Sequence, residues 1–310
     1  DQRMNTWTND FQYLLQDLSG QYPAYPEGIG GVPYPETDIV VHLAAHAKVH
    51  QLVAEPYRAL ENTMMTFNVL EYCRQRGLPL VFSSTREVYG DVHRFEGYSE
   101  ATADFAFTES PYSASKIASE AFIYAFARCY GLKYLAFRFS NVYGRFDNDL
   151  QRMSRVLPLF IHRTVRGEPF TVYGPEKVLD FTYVDDCVEG ITRGIEELVS
   201  GTVANETINL AYGEGNTLVR AAELIGDAVG SVPHMLTASA RLGEVTRYVA
   251  DIRKARDLLG WEPLTPLEEG LPKAVEWFLE HRAAHPEEDR PIEDEGAGAG
   301  WKTLVANPSS

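Results

Sequence analysis

The chain has 310 residues, 45% of them hydrophobic and 23% charged, with a formal net charge of −16 at pH 7. That length can bury one sizeable core, or a large unit plus a small one, and the composition is ordinary for a soluble globular protein. Such a negative chain repels a phosphate backbone, which argues against nucleic-acid partners. No run of about 18 apolar residues offers a membrane span and no secretory signal opens the sequence, so no membrane association and a cytoplasmic location are expected.

Residues 1–37 contain no clear strand followed by a glycine-rich turn. Gly28-Ile29-Gly30-Gly31 lies among prolines, opens no helix and reads as a loop. From residue 38 to about 210, short apolar runs alternate with amphipathic stretches, which predicts a parallel sheet with crossover helices. Asp38–Leu43 is a buried-strand run, and residues 56–76 follow with helical periodicity to a stop at Gly77. Pro79–Ser83 is the next strand. A helix is then predicted from Ser110 as N-cap, through Pro111 at the first helical position and on to Tyr130, with Gly131 ending it. Lys133–Phe139 and Thr207–Ala211 are further strands. The stretches 145–179 and 212–282 are richer in Gly, Pro and short helices and are assigned to a smaller lobe. Residues 283–310 are acidic and then Gly/Ala-rich, and read as a mobile tail. Cys73, Cys129 and Cys187 stand far apart and read as buried thiols. His42, His46 and His50 fall four apart, but the first is on a strand and the others are expected in a loop, so no metal site is expected.

The chemistry-bearing feature is Tyr112 with Lys116, four apart in the first turns of the helix begun at Pro111, so both side chains leave one face. A tyrosine of pKa about 10 is a poor base at neutral pH, and an adjacent ammonium favours its phenolate. Tyr173 and Lys177 share that spacing, but Gly174-Pro175 lies between them and denies them a helix. Doubly wound sheets bind ligands outside the carboxyl ends of their strands. Here those ends carry Ala44-Ala45, then Ser83-Ser84-Thr85-Arg86-Glu87, then Ser140-Asn141.

His42-Leu43-Ala44-Ala45, Ser84-Thr85-Arg86-Glu87-Val88-Tyr89-Gly90, Ser110-Pro111-Tyr112-Ser113-Ala114-Ser115-Lys116, Arg138-Phe139-Ser140-Asn141-Val142-Tyr143-Gly144 and Asp180-Phe181-Thr182-Tyr183-Val184-Asp185-Asp186 occur in one order. Together with Arg241–Glu244, Asp251–Ala255 and Leu259–Pro263, they resemble the extended short-chain dehydrogenases/reductases that act on nucleotide-sugars, over about residues 38–282. The resemblance implies an α/β, Rossmann-like doubly wound parallel sheet. Residues 1–144 and 180–211 would form an NAD-binding domain, and 145–179 with 212–282 the substrate lobe. It implies Tyr112 as catalytic base, Lys116 as its partner and cofactor contact, and Thr85 as a hydroxyl on the reacting sugar oxygen. Ala44, Ala45, Asn62, Ser83 and Phe139 match cofactor positions. Asn141 and Arg241 match contacts to the substrate diphosphate, Tyr173 a neighbour of the base and Glu244 a ribose contact. The helices at 56–76 and 110–130 match those through which relatives pair as homodimers. Relatives begin with a strand and a Gly-x-x-Gly-x-x-Gly turn for the NAD pyrophosphate. No such unit is visible here, so the chain is expected to start after it. The arginine that usually precedes Asp-Phe-Thr-Tyr is Leu179, for which Lys177 is the nearest substitute.

The residues after Thr85 separate reactions within the family. Sugar 4,6-dehydratases carry Asp-Glu there, and this chain has Arg86-Glu87; an arginine cannot donate and recover that proton. Uronic-acid decarboxylases keep a glutamate at the position of Glu87 but use an arginine where this chain has Tyr248, with Arg247 beside it. The resemblance therefore implies NAD-dependent epimerisation, at C4, of a nucleoside-diphosphate sugar such as UDP-glucose or UDP-galactose, with Arg86 at the substrate and Glu87 among the catalytic residues with Thr85, Tyr112 and Lys116. Decarboxylation of UDP-glucuronate and a noncatalytic dinucleotide-binding scaffold stay as alternatives.

Overall fold

The computed structural model describes residues 37–91, 97–148, 150, 155–240 and 244–288. The expectations for the N-terminal glycine loop and first strand–helix unit, for Arg241 and for residues 289–310 of the tail lie outside the described residues.

The chain opens with β1 (Val40–His42), α1 (Val49–Ala54), α2 (Tyr57–Arg76), β2 (Leu80–Thr85), α3 (Pro111–Tyr130) and β3 (Tyr134–Phe139). It continues through β4 (Asn141–Tyr143), α4 (Val156–Val165), β5 (Phe170–Tyr173), β6 (Val178–Tyr183), α5 (Val184–Ser200) and β7 (Glu206–Leu210). The last elements are β8 (Gly215–Thr217), α6 (Leu218–Val229), β9 (Met235–Ala238), α7 (Arg253–Leu259) and α8 (Leu267–Ala284). The main sheet has the order β1-β2-β3-β7 with every pairing parallel, as the alternating pattern predicts. Alternate residues of the strands feed two cores, because successive side chains leave opposite faces. Leu80, Phe82, Tyr134 and Ala136 meet α2 and α3 through Leu70, Cys73, Ile123 and Phe126. Val81, Leu135, Phe137 and Ile208 meet α5 and α7 on the other face through Leu198, Ala255 and Leu259, with Trp261 beside them.

Two predicted helix ends are seen as expected. Gly77 and Gly131 take the left-handed conformation at φ 68° and 72°, where a side chain would be strained. Ser110 accepts from the Ser113 amide at 3.2 Å while the Ser113 hydroxyl accepts from the Ser110 amide at 3.0 Å, a reciprocal cap that fixes where α3 begins. Helix α5 lies close on the sheet because it carries Gly190 and Gly194 on that face; a Cβ added at Gly194 would collide with the buried Phe137 ring. Alanine usually stabilises a helix interior over glycine, but here the overpacking wins. Gly194→Ala is expected to lose about 1–3 kcal/mol in urea denaturation. A gain would mean that α5 stands off the sheet.

The smaller lobe is built on β4-β6-β8 and the parallel pair β5-β9, with α4, α6 and α8 around one apolar core that includes Phe160, Phe170, Phe181, Ile225 and Leu271. The chain passes from β6 in this small sheet into α5 on the large one at Tyr183–Val184. Asp180 holds the lobe to the sheet. Its buried carboxylate accepts the amides of Tyr212 at 3.0 Å, Gly213 at 2.9 Å and Ala250 at 3.1 Å, joining segments far apart in sequence.

Four expectations are corrected. Cys129 is exposed, on the outward side of α3, whereas Cys73 and Cys187 are buried. His50 lies in α1 rather than a loop. The first strand spans Val40–His42 only. Helix α8 runs on to Ala284 and a short turn covers Pro286–Glu288, so ordered structure extends into the residues expected as tail; His281 Nε2 lies 2.9 Å from a Glu288 carboxylate oxygen and its ring stacks on His285.

Candidate active site

Strand β2 ends against the first turns of α3, and that junction builds the site. Tyr112, Lys116 and Glu120 recur every four residues on one face of α3 and meet Ser83, Ser84 and Thr85 between them. The Lys116 ammonium donates to the Ser83 carbonyl at 2.6 Å and lies 4.8 Å from the centre of the Phe82 ring. The Ser84 hydroxyl donates to a Glu120 carboxylate oxygen at 2.5 Å. The Thr85 side chain sits beside the Tyr112 phenol and favours its ionised form. Helical spacing of about 3.6 residues against an extended strand gives this one-to-one docking.

The expected effect of Lys116 on the phenol is not what the geometry gives. Its ammonium is committed to a backbone carbonyl, and burial pushes the Tyr112 phenol up to about 12, with the Glu87 charge adding to the rise and the Thr85 side chain opposing it. Burial likewise brings the Lys116 ammonium down to about 8, against the pull of Glu120. The His42 imidazole beneath is driven to about 4 by burial and then by the Lys116 charge, so it is neutral at physiological pH.

A cavity of about 650 Å³ runs from the carboxyl edge of the main sheet to the smaller lobe. Leu43, Ala45, Ser83, Lys116 and Phe139 line its sheet end, Thr85, Arg86, Glu87 and Tyr112 its middle, and Asn141, Tyr173, Lys177 and Glu244 its lobe side. Most of the residues singled out from the sequence thus share one space. Ala44 does not: it is exposed and lies outside this wall, because Leu43 and Ala45 take the inward positions of the loop after β1.

Asn62 is not part of the wall either, yet it shapes it. Its carboxamide accepts from the His46 amide at 2.7 Å and donates to the His46 carbonyl at 3.0 Å and the Ser115 hydroxyl at 3.2 Å. The loop after β1 is thereby fastened to α2 and α3. Losing two backbone hydrogen bonds costs about 1–3 kcal/mol, so Asn62→Ala is expected to weaken NAD binding by roughly tenfold in calorimetric titration. Unchanged affinity would show the loop to be held by its packing.

Every carboxylate among the described residues of the cavity wall is ion-paired. Glu87 lies 3.0 Å from Arg86, Asp147 3.5 Å from Arg155 and Glu244 2.5 Å from Lys177. The Arg86 guanidinium rests 5.9 Å from the centre of the Tyr248 ring, which is fully buried and stacked on Tyr89 at 5.6 Å. Arg86 Nη1 and Glu87 Oε2 are buried without a hydrogen-bond partner among the described residues. Leaving such groups unmet costs about 1–3 kcal/mol apiece, or more when charged, so they stand out against the paired groups around them.

Sequence reasoning missed the polar layer beneath the site. Arg138 on β3 donates to both Glu120 oxygens, at 3.0 and 2.7 Å, and to the Tyr89 hydroxyl at 3.2 Å. Glu120 carried a usable signal, since it continues the Tyr112–Lys116 spacing by one more turn. Among the described residues no helix is long and apolar enough to cross a membrane, and no group of His, Cys, Asp and Glu could hold a metal ion.

A model of the NAD dependent epimerase/dehydratase family matches residues 34–211. UDP-glucuronic acid decarboxylase 1 of Xenopus tropicalis is 35% identical over 259 residues, which are 81% of this chain and 59% of that protein. The chain therefore spans about three fifths of the length of this relative. The UDP-glucose 4-epimerase of Thermotoga maritima, solved with UDP-glucose, superposes with a TM-score of 0.80 at 32% identity, over 89% of this chain and 87% of that one. The UDP-glucose 4-epimerase of Thermus thermophilus, solved with NAD, gives 0.71 at 32% identity over 78% of each chain.

The family is described as NAD dependent, and the described residues fit the reactive half of that cofactor. The small Ala45 and the Ser83–Lys116 junction leave room for a flat ring and its ribose at the strand ends. The fold is the expected α/β doubly wound parallel sheet, and the chain belongs to the NAD-dependent epimerase/dehydratase family of nucleotide-sugar enzymes.

Proposed function

We propose that the protein is a nucleotide-sugar 4-epimerase, acting on a nucleoside-diphosphate hexose such as UDP-glucose or UDP-galactose through a 4-keto sugar. The observation that carries this reading is the pairing of every carboxylate among the described residues of the cavity wall, which leaves the Tyr112 phenol beside Thr85 as the group suited to move a proton. Dehydration needs a carboxylic acid and a carboxylate that are both free to trade protons, and Arg86 stands where the acid would be. Neither Tyr248 nor Arg247 lines the cavity, which weighs against decarboxylation even though a decarboxylase is among the relatives.

In this reading Tyr112 takes the proton of the C4 hydroxyl, Thr85 fixes that oxygen, and Lys116 holds the cofactor ribose while anchored to Ser83. Bound NAD supplies a two-electron acceptor that is restored each cycle. Ala45, Ser83 and Phe139 form its seat. Asn141, Tyr173, Glu244 and Arg241 receive the nucleotide, and Lys177 stands beside Glu244 where Leu179 brings no charge. In this reading the main sheet belongs to a cofactor domain and the two small sheets to a substrate lobe. A second copy covers the apolar residues exposed on α2 and α3, Tyr57, Leu60, Met64 and Phe122, giving a homodimer that sedimentation would detect. The reaction is tested by incubating purified protein with NAD and either UDP-glucose or UDP-galactose. The same mixture of both sugars, unchanged in mass, should be reached from either side; loss of water or CO2 would replace epimerisation by dehydration or decarboxylation.

A further inference from the structure

Residues Arg86–Tyr89 form a single 3₁₀ turn directly after Thr85, so Arg86 and Glu87 sit in the cavity wall beside the hydroxyl that neighbours Tyr112. A ring carbon worked on by Tyr112 brings the substituent of its neighbour against this pair. The two side chains meet through Nη2 and Oε1 at 3.0 Å, with Tyr248 behind the guanidinium. What is left over is one donor, Arg86 Nη1, and one acceptor, Glu87 Oε2, both without a partner among the described residues. Packing behind Arg86 keeps the pair from swinging out to bulk water.

A guanidinium only donates and a carboxylate only accepts, whereas a hydroxyl does both. One sugar hydroxyl placed between them would satisfy both leftover atoms. A sugar carboxylate satisfies Nη1 alone and sets a second anion against Glu87, where Glu244 and Asp91 already contribute negative potential that Lys177 only partly opposes. The pair carries no net charge to offset that repulsion. We propose that Arg86 and Glu87 are specificity-determining residues that bind the hydroxyl of the hydroxymethyl group carried by the ring carbon next to the reacting one, selecting a neutral hexose over a hexuronate. This rests on Tyr112 being the group that addresses the sugar ring.

The test is equilibrium titration of the NAD-loaded protein with UDP, UDP-glucose and UDP-glucuronate. UDP-glucose should bind at least about tenfold more tightly than UDP-glucuronate. Glu87→Gln, which keeps an acceptor and removes the charge, should move that ratio toward the uronate by about tenfold, with UDP affinity unchanged as the check on folding. Equal or tighter binding of UDP-glucuronate by the unaltered protein overturns the proposal. So does an unmoved ratio in Glu87→Gln, or a glucose moiety that adds no affinity over UDP. Binding does not require turnover, so absence of epimerisation would count against the proposed reaction and leave this selectivity standing on its own result.

Discussion

Replacing Tyr112 by Phe is expected to lower turnover of a nucleotide-sugar by about 10³-fold while NAD affinity and stability stay nearly unchanged. The ring keeps its packing and only the phenolic oxygen is lost, and Thr85 still accepts from the Glu87 amide at 3.3 Å. The prediction is sharpened by the state of the phenol. Burial and Glu87 hold it at about 12 without cofactor, so a base is made only when positive charge arrives beside it. Lys116 is occupied with the Ser83 carbonyl, so a bound NAD⁺ would be the source of that charge. The ultraviolet difference titration of the unaltered protein against Tyr112→Phe should therefore show phenolate forming at a lower pH once NAD⁺ is bound. The sign follows from the raised starting value: deprotonation is disfavoured in the free protein, and activity should rise with pH toward the cofactor-lowered value. Full turnover in Tyr112→Phe would remove this residue from the reaction.

Replacing Glu120 by Ala is expected to cost about 3–5 kcal/mol of folding stability, because it strands the buried Arg138 guanidinium. Burial alone would raise the Glu120 carboxyl, but the Arg138 hydrogen bonds and charge, with the Ser84 and Tyr124 hydroxyls, outweigh it and hold the group below the ordinary carboxylate range. A depressed folded value means that the pair stabilises the protein above the unfolded carboxyl value and loses this contribution as pH falls through the folded one. The stability gap between Glu120→Gln and the unaltered protein should thus narrow in acid, as read by urea denaturation at neutral and low pH. A small, pH-independent loss in Glu120→Ala would contradict the account of this layer. Tyr112 and Lys116 lie on the same helix face, so this variant should also lose activity before it unfolds.

Much of this site was legible because its determinants are local. The cap at Ser110-Pro111, the stop at Gly131 and the four-residue spacing of Tyr112 and Lys116 lie within one helix, and the Ser83–Glu87 run follows directly from its strand. The partner of each group was less legible. Lys116 bonds Ser83, 33 residues away, Asn62 reaches Ser115 across 53, and Asp180 gathers amides from two later segments. Such pairings depend on how elements dock, which periodicity does not encode. Ala44 was assigned to the wall because both alanines are small; which of them turns inward is set by the path of the loop that Asn62 fastens. Helix α1 was read as a loop because six residues give too few turns to show a period. Wide spacing alone makes Cys129 read as a buried thiol, whereas its place on the outward face of α3 decides its exposure.

In the proposed reaction the sugar is oxidised at C4 and reduced again at the same carbon without leaving the cavity. The most direct measurement uses UDP-glucose carrying deuterium at C4, incubated with the NAD-loaded protein in ordinary water and followed by mass spectrometry and proton resonance. The account predicts UDP-galactose with the deuterium still on C4 and no change in mass. Deuterium lost to solvent, or a product lighter by water or CO2, would contradict it.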